Sequence, residues 1–174
     1  MKSGGININS KLAYALKLRN DGEDEQSRQL LIELVRNNHK HAELNFHCAQ
    51  THDGMGLEEE AVEYYEKAIE LGLPDDLLRD AFVCLGSTYR VIGQLQQSHD
   101  ILLKGEKKFP DYEPIKVFKA LTLHNIDHHS KALETVLKTL LRTTNDEAVQ
   151  KYSRALGYYA ENLDGPLDES GNHD

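Results

Sequence analysis

Apolar residues along the chain recur at spacings of three and four rather than two. Leu30, Leu31, Leu34 and Val35 form one such set, and Ala61, Tyr64, Tyr65, Ala68 and Ile69 form another. Ala132, Leu133, Val136, Leu137 and Leu140 form a third. This spacing lines one face of an α-helix. No segment alternates apolar and polar residues with β-branched enrichment, as a half-buried strand would. The prolines, Pro74, Pro110, Pro114 and Pro166, leave long stretches unbroken. Short polar turns fall at Asn20-Asp21-Gly22, Asp53 to Gly56, Ile92-Gly93 and Asn125 to Asp127. The pattern predicts an all-α chain of helices joined by regularly spaced turns.

The regularity is that of a repeat. The turn residues Gly22, Gly56, Gly93 and Asp127 are separated by 34, 37 and 34 positions. Five positions after each stands a small residue: Ser27, Ala61, Ser98 and Ala132. Seven positions before each stands another: Ala15, Ala49, Gly86 and Ala120. Small residues on either side of a turn let two antiparallel helices approach closely. Four positions beyond the second small residue come Leu31, Tyr65, Leu102 and Val136, bulky enough to fill the space between neighbouring helix pairs.

A helix–turn–helix period of 34 resembles the tetratricopeptide repeat, in the manner of a small bacterial-type member of that family. The third unit carries the family pattern best, with Leu85-Gly86, Tyr89, Gly93, Ser98, Leu102 and Phe109-Pro110. The units align as 8–41, 42–75, 79–112 and 113–146, with Asp76, Leu77 and Leu78 as an insertion lengthening one connection. Units one, two and four are degenerate. The family's aromatic is Phe82 in unit three, where the other units have Lys11, Asn45 and Lys116. The resemblance implies a right-handed superhelical array. Residues 147–162, with Val149, Tyr152, Leu156 and Tyr159 at helical spacing, read as one further helix capping the apolar end of the array. Residues 1–7 are expected to be flexible, and 163–174 to form a disordered acidic tail.

Composition narrows the function classes. The chain has 174 residues, 20 Lys+Arg against 29 Asp+Glu, a formal net charge of -9, and 39 % apolar residues. That apolar fraction supports a core. The acidic balance argues against nucleic acid, whose phosphates require clustered Lys and Arg. No apolar run approaches the roughly 18 residues of a membrane span, and the first ten residues lack a secretory signal's apolar stretch. A cytoplasmic protein with no membrane partner is expected.

Little in the chain points to catalysis. There is no G-x-S-x-G and no Gly-rich phosphate loop. Cys48 and Cys84 fall at buried helical phases, as small core hydrophobes do. Glu58-Glu59-Glu60 opens a helix, where carboxylates favour the exposed N–H groups. His39, His41 and His47 form an H-x-H-x₅-H cluster that raises metal binding as a minor reading, although no zinc-type ligand spacing accompanies it. His128 and His129 read as turn residues. The expectation is no cofactor, no metal and no enzyme.

Surface recognition remains. In the family the first helices of the units line a concave groove. Transferred position by position, the resemblance implies a floor row of Leu12, Phe46, Val83 and Val117. A second row is Leu16, Gln50, Ser87 and Leu121, and a third is Arg19, Asp53, Arg90 and His124. Such a groove suits a peptide or helix of a partner protein. The alternative for the floor row is packing against neighbouring helices. Some relatives clamp a terminal carboxylate with Lys, Asn and Arg. The matching positions here hold Leu12, Leu16, His47, Asp80 and Cys84, so no clamp is expected. A second functional reading is self-association into a homodimer, through terminal units or the tyrosines Tyr152, Tyr158 and Tyr159.

Overall fold

A computed structural model describes residues 7–165. Most of the expected flexible segments, 1–6 and 166–174, lie outside the described residues. Eight helices form four antiparallel pairs: α1 (Ile8–Asn20) with α2 (Asp24–Asn37), α3 (Ala42–Gly54) with α4 (Glu58–Leu71), α5 (Asp75–Val91) with α6 (Leu95–Lys108), and α7 (Glu113–Asn125) with α8 (His129–Thr143). A single turn, α9 (Glu147–Gln150), and a short helix, α10 (Ser153–Glu161), follow. Among the described residues there is no strand. The pairs stack into a right-handed superhelical array.

The turn within each pair is built the same way. Gly22, Gly56 and Gly93 have φ of 84°, 75° and 80°, and Asp127 takes the same left-handed conformation at 63°. In each case the next residue's N–H reaches back to a carbonyl five positions earlier. Glu23 donates to Leu18, Leu57 to His52, Gln94 to Tyr89 and His128 to Leu123, at 2.8–3.0 Å. This bonding satisfies carbonyls left open at a helix end and turns the chain back on itself. Glycine reaches a positive φ without strain, and a short Asp side chain tolerates it.

The small positions seat the pairs. Ala15, Ala49, Gly86 and Ala120 are buried, as are Ser27, Ala61, Ser98 and Ala132. In two units a serine adds a bond across the pair. Ser27 Oγ donates to the Ala15 carbonyl at 2.7 Å, and Ser98 Oγ to the Gly86 carbonyl at 2.6 Å. Leu31, Tyr65 and Leu102 are fully buried between successive pairs. Each such side chain contributes roughly 1.5–3 kcal/mol relative to remaining exposed. The largest core cluster joins Phe46, Ala61 and Tyr65 of the second pair to Ala81, Phe82, Leu85 and Leu102 of the third and Ile115 of the fourth.

Two elements differ from the sequence reading. The residues expected to lengthen a connection instead lengthen a helix. α5 begins at Asp75, directly after Pro74, and spans 17 residues. Pro74 sits at φ -53° and its carbonyl accepts from the Leu78 N–H at 2.8 Å, Asp75 and Asp76 occupy the first turn, and Leu78 is buried in the core, so the added turn has its own start and its own anchor. The stretch expected as one capping helix is broken, because Tyr152 leaves helical geometry at φ -102°, ψ 11°. α10 then packs along the outer side of α8. Lys138 Nζ lies 2.9 Å from Glu161 Oε1, Ser130 Oγ donates to Asp164 Oδ1 at 2.6 Å, and a Cβ on Gly157 would stand 4.0 Å from Leu141.

Candidate functional site

Successive first helices touch one another, α1 with α3, α3 with α5 and α5 with α7. No comparable contact joins successive second helices among the described residues. The first helices therefore form the inner wall of the curve, and the side chains they share make up its surface.

The third row lies along this wall as a polar stripe. Arg19 is half-buried, and its Nη1 donates to Gln50 Oε1 and Thr51 Oγ1, both at 3.4 Å. Loss of solvent lowers the pKa of its guanidinium. His47 Nδ1 faces the same Gln50 oxygen at 3.1 Å, which makes it the donor. Burial holds the His47 imidazole below its ordinary range, which favours the neutral ring. Asp53 accepts a hydrogen bond from Tyr65 Oη at 3.3 Å. Burial raises its carboxyl, and the hydroxyls of Thr88 and Tyr65 oppose that rise. Arg90 donates from Nη1 to Asn125 Oδ1 at 3.3 Å. Its Nε is the one buried side-chain polar atom without a partner among the described residues. His124 is exposed, with Nδ1 at 3.1 Å from Nδ1 of His129.

The apolar row is divided. Phe46 is only 2 % exposed, and Leu12 is buried too. They are core residues, with no surface to offer a ligand, because α4 and α5 cover Phe46 and α2 and α3 cover Leu12. Leu16, Val83, Gln50 and Ser87 are half-buried. Val117 and Leu121 are 36 % and 43 % exposed, because no fifth pair lies over them. The usable wall is thus polar at Arg19, Gln50, Asp53 and Arg90, and becomes apolar toward Val117 and Leu121.

The candidate chemistry is dispersed. His41 caps α3, its ring Nδ1 accepting from the Leu44 N–H at 3.4 Å, while His39 is exposed in the preceding turn and His47 bonds Gln50. The three do not converge, and among the described residues no group of three or more His, Cys, Asp or Glu could hold a metal ion. Burial pushes the Cys48 thiol up to about 12 and also raises that of Cys84, so neither is an activated nucleophile. Of the clamp positions, Asp80 accepts from Tyr112 Oη at 2.6 Å, and Leu12 is buried. Sequence reasoning missed His52 as a structural group. It is buried, with Nδ1 2.8 Å from the Cys48 carbonyl one turn earlier on α3.

A curved stack of helix pairs with this turn and packing signature is a tetratricopeptide repeat array. The sequence profile described as Tetratrico peptide repeat matches residues 42–163, and the chain belongs to this family. No curated protein sequence matches it. Among solved structures the chain is similar to the MamA protein, at 19 % identity and TM-score 0.70, over 88 % of this chain and 86 % of that one. It is similar to MamA 41-end from Desulfovibrio magneticus RS-1, at 14 % identity and TM-score 0.71, over 90 % and 87 %. A thermophilic TPR protein of Thermus thermophilus matches at 21 % identity and TM-score 0.56, over 89 % and 82 %. At these identities the likeness is one of fold. No helix among the described residues is long and apolar enough to cross a membrane.

Proposed function

We propose that this chain is a non-catalytic interaction scaffold that holds a peptide or helix of a partner protein against its inner wall. The four units at 8–41, 42–75, 79–112 and 113–146 supply that wall. The observation carrying the reading is the row of half-open side chains shared by the four first helices, with Arg90 at its centre. The half-buried Arg90 guanidinium offers N–H donors to a carbonyl or carboxylate of a bound peptide, while Val83, Val117 and Leu121 supply apolar contact. The acidic composition disfavours nucleic acid as the ligand.

The test begins with a photo-crosslinking residue at position 87 and mass-spectrometric identification of the captured segment. A synthetic peptide of that segment is then titrated by fluorescence anisotropy. Ser87→Arg fills the middle of the wall and should weaken binding at least about tenfold, equivalent to roughly 1.4 kcal/mol. Arg90→Ala should weaken it as well. Unchanged affinity in both variants would remove the inner wall as the binding surface.

A further inference from the structure

The turn of the fourth helix pair brings two imidazoles together. His124 lies at the end of α7 and His129 opens α8, and their Nδ1 atoms stand 3.1 Å apart. The turn between them is well fastened. Asp127 holds its positive φ of 63°, the His128 N–H donates to the Leu123 carbonyl at 2.9 Å, and Ile126 packs on Ala120, Leu123 and Ala132. The same two positions also face each other in other units. In unit one burial lowers the Arg19 guanidinium, and the charge of Asp24 works against that fall. In unit two burial raises the Asp53 carboxyl, and the charge of Glu58 adds to the rise. The turn thus sets the juxtaposition, and in the fourth unit both positions carry imidazole.

We propose that His124 and His129 chelate one divalent transition-metal ion of the kind that prefers imidazole nitrogen, Cu(II) or Zn(II), through their Nδ1 atoms. Three observations carry this site. The first is spacing. Two nitrogens about 2.0–2.1 Å from one ion, at angles between square and tetrahedral, stand about 2.9–3.4 Å apart, and the Nδ1 atoms are within that range. The second is ring orientation. Rings aimed head-on at each other across this gap would hold their centroids about 5.4 Å apart. Rings converging on a shared ion would hold them about 4.8 Å apart. The observed separation is 4.7 Å. The third is the far side of His129, whose Nε2 lies 3.5 Å from Asp127 Oδ1. A carboxylate beside one ring nitrogen draws the ring proton there and frees the lone pair of the other, as it does for most metal-bound histidines. His129 Nδ1 is then the acceptor between the rings and His124 Nδ1 the donor. Binding the ion requires the His124 proton to move to its Nε2, where water can accept it, since both rings are exposed. With two protein nitrogens, the remaining coordination positions fall to water.

The test is isothermal titration calorimetry of Cu(II) and Zn(II) into the full chain, without an affinity tag and in a non-chelating buffer. One ion per chain should bind at micromolar concentration, Cu(II) more tightly than Zn(II), and millimolar Mg(II) should not compete. Removing a group that only orients a ligating histidine costs about 10–100-fold in affinity, so His124→Asn and His129→Asn should each cost at least about tenfold. Both side chains are exposed, so the circular dichroism spectrum should match the wild type. His39→Asn, in the exposed turn before α3, should bind as the wild type does. Electron paramagnetic resonance of the one-to-one Cu(II) complex should show hyperfine coupling to two imidazole nitrogens. No binding at millimolar ion would overturn the proposal, as would wild-type affinity in either His124→Asn or His129→Asn. Coupling to a single imidazole, or a loss in His39→Asn matching theirs, would overturn it as well.

Discussion

Gly86→Ala tests the close packing of the helix pairs most directly. In a free helix this change is favourable by about 1 kcal/mol, because alanine loses less backbone freedom. Here the sign reverses. A Cβ built on Gly86 would stand 2.4 Å from Cγ of Leu102 and 2.6 and 2.9 Å from its two methyls. Ordinary carbon contacts lie at roughly 3.5–4.0 Å, so Leu102 would have to withdraw by about 1 Å. It is fully buried and has no space to withdraw into. Overpacking of this kind costs typically about 1–3 kcal/mol, and more where no side chain can yield. With Leu102 fully buried the cost falls in the upper part of that range, about 2–3 kcal/mol, and subtracting the propensity gain leaves a net loss of about 1–2 kcal/mol. For a chain of this size that is a fall in Tm of about 2–8 °C. Thermal and urea unfolding followed by circular dichroism read it. Gly54→Ala is the control: it lies on α3 with nothing within 4 Å of a new Cβ, so its Tm should hold or rise. Leu102→Ala alone should cost about 2–5 kcal/mol by leaving a cavity. The new methyl of Gly86→Ala fills part of that cavity, so the double variant should be more stable than additivity allows by about 1 kcal/mol. A Tm for Gly86→Ala equal to or above wild type, or strict additivity with Leu102→Ala, would refute the assigned contact.

Other consequences follow from single groups. Asp127→Gly restores the residue of the other three turns at a positive φ, and should stabilise by up to about 1 kcal/mol, read as a higher Tm. Glu113 is held down to about 2, first by its bond to Arg142 and then by Lys116 and Thr139. Its folded pKa lies below the unfolded value of about 4.3, so its contribution is complete above that pH and is lost as the pH falls from there toward 2. Glu113→Gln should therefore flatten the dependence of Tm on pH in that window, and an unchanged slope would discount the ion pair. Cys48, fully buried with its thiol pushed up to about 12, should resist iodoacetamide at about pH 8 in the native state and react once urea unfolds the chain. Mass spectrometry of the alkylated peptides reads the difference, and rapid native labelling would contradict the burial.

Much of this architecture is local chemistry, and local chemistry is written in residue order. The turn markers Gly22, Gly56, Gly93 and Asp127 are the positions that adopt a positive φ. The two sets of small residues are the ones buried between paired helices. Both depend on spacing over a few helical turns, which the sequence determines by itself. Burial at a given repeat position is different, because it depends on what the neighbouring pair lays over it. Phe46 and Val117 occupy equivalent places on α3 and α7, yet one is core and the other is open, since α5 covers the first and no further pair covers the second. The insertion at residues 76–78 was legible, but its place inside α5 was decided by Leu78 finding a buried site. Likewise the apolar spacing of the last helix was legible, and the side of α8 it would choose was not. That choice rests on contacts such as Lys138 with Glu161 and Ser130 with Asp164, between residues far apart in sequence that only the folded array brings together.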